Sequence, residues 1–208
     1  MVRPMSENAQ TCVSAVVLAG GQSQRFGKEK SLLLVDQQPL LARTVQTLAS
    51  LSDDIIVVTN EPARYEALDL PVRFVPDERR GVGSLMGIYS GLKAARRPQA
   101  LTVACDMPLL NPDLLRYMLG LVEGYDVVIP RMGDLLEPLH AIYGRACLPA
   151  MARLLEQGRR QIVAFFPEVR VRYVQEDEID RFDALHLSFF NVNTPQDWER
   201  VQHLLQER

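Results

Sequence analysis

The chain has 208 residues, of which 47% are hydrophobic and 24% are charged, and its formal net charge is −3. This length and composition suit one medium-sized domain with a normal core, and they exclude bulk disorder. The nearly balanced charge disfavours extended nucleic-acid binding, because such binding usually needs a clear basic excess.

The cysteines and the amino-terminal residues indicate the compartment. Cys12, Cys105 and Cys147 are too few for a disulfide framework, and no two of them have the C-x-x-C spacing of a zinc knuckle. Residues 1–12 are polar and lack the apolar region of a signal peptide, and no apolar run is long enough to cross a membrane. We therefore expect a cytoplasmic protein without membrane contact, with a flexible tail over residues 1–12 and one domain over residues 13–208.

Apolar, β-branched segments alternate with helical patterns along the chain. The predicted strands are residues 14–19, 55–59, 72–75, 100–105 and 126–130, followed by 138–144 and 169–174, for which an antiparallel arrangement is open. The predicted helices are residues 39–51, 84–95, a helix that begins at Pro112 behind an Asn111 cap, 145–157 and 194–206. The alternation predicts the α/β class: a single-domain, doubly wound, mostly parallel sheet with helices on both faces.

A glycine-rich loop follows the first predicted strand directly. Gly20 and Gly21 allow backbone N–H groups to approach a phosphate, and Arg25, Lys28 and Lys30 follow within the same loop. The spacing fits neither G-x-x-x-x-G-K-[ST] nor G-x-G-x-x-G. A purely structural turn is the alternative, but ligands of open α/β sheets bind beyond the carboxyl ends of strands. The loop therefore predicts a site for the phosphates of a nucleoside triphosphate.

Polar residues follow three other predicted strands. Asn60, Asp77 and Asp106 each stand where an apolar strand ends, so we expect them on the same rim as the glycine-rich loop. Each one alone is explained as a turn or capping residue. Together with the loop they predict a site, in which Asp106 holds Mg2+ because Mg2+ commonly binds one or two carboxylates and phosphate oxygens.

Four segments in the same order resemble the molybdenum cofactor guanylyltransferases, within the wider MobA-like nucleotidyltransferases. Residues 18–30, with the pattern Leu-Ala-Gly-Gly-x-Ser-x-Arg-Phe-Gly-x-x-Lys, resemble the family's signature, and residues 81–88 resemble its Gly-Pro-Leu-x-Gly-Ile segment. Residues 105–108 are similar to its Asp-x-Pro metal motif, and residues 189–197 to its carboxyl-terminal Asn-x-Asn-Thr-Pro motif. The resemblance implies a Rossmann-like nucleotidyltransferase fold over residues 14 to 200.

The resemblance also implies a reaction. GMP would pass from GTP to the terminal phosphate of molybdenum-loaded molybdopterin, with Mg2+ and release of pyrophosphate, and no protein nucleophile would be needed. Carried over by position, the nucleotide-binding residues are Leu18, Ala19, Gly20, Gly21, Lys30, Asn60, Asp77 and Asp106. The substrate-binding residues are Gly83, Gly87, Asn191 and Asn193, and the catalytic residues are Arg25, Lys30 and Asp106. We expect a monomer that passes its product to molybdoenzymes or other cofactor-biosynthesis proteins.

Other functions remain open at this point. Related cytidylyltransferases have Leu-Ala-Ala-Gly at the loop, so the absent side chain of Gly20 favours the larger guanine. Ser84 and Phe26 depart from the family's usual proline and methionine. A sugar-phosphate or polyol-phosphate nucleotidyltransferase, a nucleotide-binding regulatory module and a cofactor-delivering adaptor are the alternatives. Arg159 and Arg160 are either a phosphate-binding patch or a solvated helix end, and His140 is interpreted as a packed residue.

Overall fold

A computed structural model of the protein describes residues 13–20, 30–35 and 37–206, with Lys30 and Gln206 described through their backbone alone. The predicted tail of residues 1–12 lies outside the described residues, and so do Gly21, Arg25 and Phe26. No helix in the described ranges is long and apolar enough to cross a membrane.

The elements follow one another in the predicted order, with some additions. The strands are β1 (Ser14–Leu18), β2 (Leu34–Val35), β3 (Gln38–Pro39), β4 (Ile55–Val58), β5 (Arg73–Val75), β6 (Gln99–Ala104), β7 (Val127–Met132), β8 (Leu135–Leu136), β9 (His140–Gly144) and β10 (Val171–Gln175). The α-helices are α1 (Leu40–Ala49), α2 (Ser84–Ala94), α3 (Pro112–Leu119), α4 (Leu148–Glu156), α5 (Glu176–Asp183) and α6 (Pro195–Gln206).

The central sheet has the order β10-β7-β9-β6-β1-β4-β5, with β8 paired to β7. Strand β1 lies in parallel between β4 and β6, and β5 continues the parallel arrangement beyond β4. Strand β9 runs antiparallel between β6 and β7. The mostly parallel sheet is therefore confirmed, and so is an antiparallel strand at residues 140–144. The antiparallel option is wrong for the last strand, since β10 runs parallel to β7.

Helices cover both faces of the sheet. Successive residues of β1 point to opposite faces, so neighbouring side chains pack against different helices. Val17 packs in the core cluster that includes Leu41 of α1, Leu114 of α3 and Ile179 of α5. Val16 packs in the second cluster, with Ile88 of α2 and Met151 of α4 among its members. Burial of each of these side chains contributes about 1.5–3 kcal/mol. A sheet buried on both faces explains why its strands are continuously apolar.

Local chemistry fixes the ends of the helices. The side-chain oxygen of Asn111 accepts hydrogen bonds of 2.9 Å from the Asp113 N–H and 3.2 Å from the Leu114 N–H, so the predicted cap of α3 is confirmed. Helix α5 was not predicted from the sequence, because only Ile179 and Asp183 of its eight residues are buried. A capping box between Gln175 and Glu178 begins that helix instead of an apolar stripe.

Candidate nucleotide-binding site

The order of the strands creates a crevice at the carboxyl end of β1. From β1 the chain proceeds through β4 and β5 on one side, and then returns to pair β6 with the other side of β1. Ligands of open α/β sheets bind at such a switch point. The Cys105 N–H donates a hydrogen bond of 3.1 Å to the Leu18 carbonyl, so Asp106 follows directly beside the end of β1. Asp106 therefore lies beside the start of the loop, as predicted.

Gly20 lies exposed just past the end of β1. The preceding residue is fixed, since the Ala19 N–H donates a hydrogen bond of 3.0 Å to the Val58 carbonyl. Among the described residues, a Cβ atom added to Gly20 would have one heavy-atom neighbour within 4 Å, the Val58 carbonyl oxygen at 3.8 Å, which is an ordinary contact. The role of Gly20 in phosphate binding stays a prediction.

Asn60 and Asp77 form a reciprocal pair on the β4–β5 side of the crevice. The Asn60 amide donates a hydrogen bond of 2.8 Å to Asp77 Oδ2, and the Asp77 N–H donates one of 3.2 Å to Asn60 Oδ1. Both residues are half-buried. The structure thus brings these two predicted site residues together and fixes the orientation of each.

The two glycines of the β5–α2 segment differ in their structural setting. Gly83 is exposed and has a φ angle of 108°, which disfavours other residues, and it immediately precedes α2. Gly87 is buried within α2, where an added Cβ would lie 3.1 Å from Leu18 Cδ2 and 3.6 Å from Asp77 Oδ1. Close packing of α2 against Leu18 accounts for Gly87, so its contact with a substrate stays a prediction.

The carboxyl-terminal segment is attached to the other side of the crevice. The Val192 N–H donates a hydrogen bond of 2.9 Å to the Asp106 carbonyl, which places the predicted Asn191 and Asn193 on either side of this attachment. The half-buried Asn191 amide donates a hydrogen bond of 3.1 Å to the Phe189 carbonyl, whereas Asn193 is exposed. Both residues were predicted to belong to the site, and the structure brings them next to Asp106.

The cap of α6 does not need the Asn191 side chain. The Asp197 carboxylate accepts hydrogen bonds of 2.9 Å from the Asn193 N–H and 2.8 Å from the Thr194 N–H, and Thr194 Oγ1 accepts one of 3.2 Å from the Asp197 N–H. Thr194 and Asp197 therefore cap the amino-terminal end of α6. Asn191 takes no part in this cap and bonds instead to the Phe189 carbonyl, so its contact with a substrate stays a prediction.

His140 is fully buried on β9, and its ring lies 4.8 Å from the Phe189 ring in an edge-on arrangement. Burial lowers the pKa of His140 to about 4, with a smaller opposing effect from the nearby Asp183 charge. The interpretation of His140 as a packed residue is confirmed. Arg159 and Arg160 are exposed beyond α4, and a phosphate-binding role for them stays a prediction.

Two residues of the crevice were not predicted from the sequence. Tyr65 lies in a 3-10 segment between β4 and β5 and is 1% exposed. Its hydroxyl donates a hydrogen bond of 3.3 Å to the Ala19 carbonyl and lies 2.9 Å from the Ser31 hydroxyl. Neither residue belongs to a motif, so only the three-dimensional structure shows that they meet beside Gly20 and Lys30.

The carboxylates of the rim suit a metal ion whose remaining ligands come from the substrate. Among the described residues, no group of three or more histidine, cysteine, aspartate or glutamate side chains could hold a metal ion by itself. Mg2+ characteristically binds one or two carboxylates together with phosphate oxygens and water. The half-buried Asp106 fits that pattern as a single carboxylate beside a predicted phosphate site.

Comparison with known sequences identifies the family of the chain. The family model of the MobA-like NTP transferase domain matches residues 15–173. A protein of Pelotomaculum thermopropionicum named "Probable molybdenum cofactor guanylyltransferase" is 40% identical over 184 residues, which cover 88% of this chain and 89% of the relative. The molybdenum cofactor guanylyltransferase of Desulfosudis oleivorans is 35% identical over 192 residues, which cover 91% of this chain and 94% of the relative.

A solved structure has the same architecture. The molybdopterin-guanine dinucleotide biosynthesis protein A of Archaeoglobus fulgidus superimposes with a TM-score of 0.81 at 28% identity, over 94% of this chain and 100% of that chain. A doubly wound sheet with a glycine and a carboxylate at its switch point is typical of α/β proteins that bind a ligand there. The chain belongs to the MobA-like NTP transferase family. Its predicted fold and its predicted class, a nucleotidyltransferase enzyme, are thereby confirmed, and a purely regulatory module is not supported.

Proposed function

We propose that this protein transfers GMP from GTP to the terminal phosphate of molybdenum-loaded molybdopterin and releases pyrophosphate. The observation that carries the proposal is the hydrogen bond of 2.9 Å between the Val192 N–H and the Asp106 carbonyl. It joins the Asn-Val-Asn segment to the backbone of Asp106, which supports one shared site for the predicted acceptor contacts and the predicted metal ligand. The names of relatives at 35–40% identity point to the same reaction.

The nucleotide occupies the side of the crevice formed by β1, β4 and β5. The Gly20 and Gly21 backbone and the Lys30 side chain bind the triphosphate. Leu18 and Ala19 lie beside it and hold the start of the loop, since the Leu18 carbonyl accepts a hydrogen bond from the Cys105 N–H and the Ala19 N–H donates one to the Val58 carbonyl. Asn60 and Asp77 lie near the nucleoside, where Asp77 Oδ1 accepts a hydrogen bond from the guanine edge or from a ribose hydroxyl. The reciprocal hydrogen bonds of 2.8 Å and 3.2 Å between Asn60 and Asp77 support this role, because they fix Asp77 before the nucleotide arrives.

The acceptor occupies the side formed by β6 and the carboxyl-terminal segment. Asn191 and Asn193 bind the pterin substrate or its phosphate, and Gly83 and Gly87 complete the substrate contacts. The pterin phosphate attacks the α-phosphorus of GTP, the bond to the β-phosphate breaks, and pyrophosphate leaves. The protein contributes position and charge: Arg25 and Lys30 stabilise the negative charge on the phosphates as pyrophosphate departs.

Asp106 is the residue that would hold Mg2+ in this site. Bound there, the cation neutralises charge on the phosphate oxygens of the nucleotide. Asp106 is well placed for it, because the carbonyl of the same residue is fixed by Val192 and the preceding Cys105 is fixed by Leu18. The Asp106 backbone is therefore already fixed when the nucleotide phosphates bind near the carboxylate.

Gly20 is the residue that selects guanine over cytosine. Its exposed position supports the role, and so does the ordinary distance of 3.8 Å from an added Cβ to the Val58 carbonyl oxygen, since the fold tolerates alanine there. A methyl group at this point would narrow the space for a purine. Residues 13–208 would then form the nucleotidyltransferase domain, and the proposed active form is a monomer.

The test is pyrophosphate release by the purified protein with Mg2+, molybdenum-loaded molybdopterin and each of GTP and CTP in turn. We expect release with GTP and little with CTP. Release with CTP alone would replace the proposal by a cytidylyltransferase. Turnover only with a sugar phosphate or polyol phosphate in place of the pterin would overturn it.

A further inference from the structure

The two ends of the glycine-rich loop meet at one buried hydroxyl group. Tyr65 Oη donates to the Ala19 carbonyl at 3.3 Å and lies 2.9 Å from Ser31 Oγ. A tyrosine hydroxyl has one proton, so Ser31 donates its own proton to Tyr65 Oη. Ala19 directly precedes Gly20, and Ser31 directly follows Lys30. Phosphate binding is assigned to Gly20 and Lys30. The Tyr65 side chain therefore contacts the residue next to each of them, Ala19 and Ser31.

The hydrogen bond to Ala19 has a directional consequence. The peptide unit that joins Ala19 and Gly20 is planar, so its carbonyl oxygen and the Gly20 N–H point in opposite directions. The carbonyl is held by Tyr65 at 3.3 Å on one side, while the Ala19 N–H is held by the Val58 carbonyl at 3.0 Å. The Tyr65 bond restrains the plane of this unit and hence the direction of the Gly20 N–H, an assigned phosphate donor, while the Val58 bond restrains the preceding peptide unit.

Tyr65 is itself firmly fixed. Its side chain is 1% exposed and belongs to the core cluster beneath the sheet. Its ring stacks on Phe74 of β5, with a centroid distance of 6.0 Å and an interplanar angle of 11°. The burial of the hydroxyl makes its hydrogen bonds costly to lose, because an unsatisfied polar group would remain in the core.

We propose that Tyr65 is a positioning residue that, together with Ser31, fixes the Gly20 and Lys30 backbone for binding of the nucleotide triphosphate. This inference rests on the proposed function, because it takes phosphate binding by these residues from it. Tyr65 acts through Ala19 and Ser31 and does not contact the nucleotide. The ligand class is a nucleoside triphosphate of any base, since the groups that Tyr65 orients face phosphate.

The test compares nucleotide affinity in two tyrosine variants. Tyr65→Phe keeps the ring and removes the hydroxyl. Tyr143→Phe is the matched control, because Tyr143 is also fully buried and donates its hydroxyl to a backbone carbonyl, that of Pro138 at 2.7 Å. Dissociation constants for GTP with Mg2+ are measured without acceptor, alongside the melting temperature and steady-state kinetics.

We expect Tyr65→Phe to weaken GTP binding by about tenfold, as the loss of one to two hydrogen bonds predicts. Tyr143→Phe should lower the melting temperature comparably and leave the GTP dissociation constant unchanged. Ser31→Ala should have a smaller effect, and the double variant should be less than additive, because the two residues share one hydrogen bond. The Michaelis constant for the pterin acceptor should stay within about twofold, as its contacts lie on the other side of the crevice.

Amide hydrogen exchange provides a readout that does not depend on the base or the acceptor. In Tyr65→Phe, exchange should increase in the peptides that contain Ala19–Gly20 and Ser31–Leu32, and Tyr143→Phe should leave those peptides unchanged. A wild-type protein that prefers CTP, or that uses another acceptor, would overturn the proposed function. A tenfold loss of triphosphate affinity in Tyr65→Phe would still support the inference in that case. Equal triphosphate affinity in Tyr65→Phe and wild type, with a lowered melting temperature alone, would overturn the inference and leave the proposed function intact.

Discussion

The Asp106 carbonyl accepts a hydrogen bond of 2.9 Å from the Val192 N–H, and this bond connects the end of β6 to a segment near the end of the chain. Val192 is fully buried, in a small apolar cluster with Leu40 of α1 and Val201 of α6. The position of the carboxyl-terminal asparagines therefore depends on a packed core and not on a flexible tail. We predict that residues on the two sides of this bond affect different substrates.

Replacement of Asp106 by asparagine should remove catalysis and preserve the fold. The backbone hydrogen bond to Val192 does not involve the carboxylate, so we expect the variant to keep this attachment and to stay folded. The loss of charge against the metal and the phosphates should lower kcat by about a hundredfold to a thousandfold. Asp113→Asn is the control, because the Asp113 side chain is 70% exposed on α3 and loses the same charge. Full pyrophosphate release by Asp106→Asn would remove this residue from the metal site.

Replacement of Asn191 by alanine should affect the acceptor and not the nucleotide. Its amide donates a hydrogen bond of 3.1 Å to the Phe189 carbonyl, so its side-chain oxygen faces away from that bond and is proposed to meet the pterin substrate. We expect the Michaelis constant for molybdopterin to rise by about tenfold, and that for GTP to change by less than about twofold. Gln196→Ala, at an exposed position of α6, is the control. An equal rise in both constants would show a general distortion of the site instead.

Two glycine-to-alanine variants should separate space for a ligand from space for the fold. In Gly91→Ala the new Cβ would lie 2.4 Å from Val16 Cγ1 and 3.1 Å from Val58 Cγ2, so the helix must shift. We expect a loss of about 1–3 kcal/mol in the free energy of unfolding. Gly20→Ala should leave the free energy of unfolding unchanged and lower the ratio of kcat/KM for GTP to that for CTP. Chemical denaturation and kinetics with both nucleotides measure these effects, and an unchanged ratio would contradict the assigned role of Gly20.

The buried His140 should make stability depend on pH in a defined window. Burial lowers its pKa from 6.5 to about 4, so the folded protein keeps the ring neutral while the unfolded chain binds a proton as the pH falls below 6.5. The stabilisation is thus fully present above pH 6.5 and is lost as the pH falls towards 4, and it amounts to about 2 kcal/mol between pH 7 and pH 5.

Denaturant titrations at pH 7 and pH 5 measure this loss. His140→Leu should abolish it, whereas His203→Gln, at an exposed position of α6, should retain it. Glu178, whose pKa falls to about 2, contributes only at lower pH: burial raises that pKa, but hydrogen bonds from Arg172, Tyr117 and the Gln175 N–H outweigh the burial. An equal pH dependence in wild type and His140→Leu would mean that His140 is not the group responsible.

Strong local signals made most of the fold predictable from the sequence. Continuous apolar strands and the Asn111 cap are each encoded by neighbouring residues, and the structure contains both. The hairpin of β2 and β3 and helix α5 were missed, because two-residue strands and a mostly exposed helix carry no apolar periodicity. Local pattern also left the direction of β10 open, since direction depends on which strand it pairs with.

The candidate site shows the same division. The ends of the strands were recognisable, so Asn60, Asp77 and Asp106 were placed on one rim. The reciprocal bonds between Asn60 and Asp77 and the bridging hydroxyl of Tyr65 depend on side-chain directions that are set by tertiary packing. Gly87 shows the converse, since a family motif suggested substrate contact where packing against Leu18 at 3.1 Å accounts for the glycine.

The central claim is that this site joins GMP to a pterin phosphate, and the mass of the product tests it most directly. Wild-type protein is incubated with Mg2+, GTP and molybdenum-loaded molybdopterin. The pterin is then isolated, and its molecular mass is measured by mass spectrometry. We predict a pterin heavier by one guanylyl group, formed in a one-to-one ratio with pyrophosphate and absent with Asp106→Asn. A pterin of unchanged mass, after incubation with an enzyme shown to be folded, would contradict the claim. In a second incubation with both GTP and CTP, a pterin that gains a cytidylyl group would also contradict it.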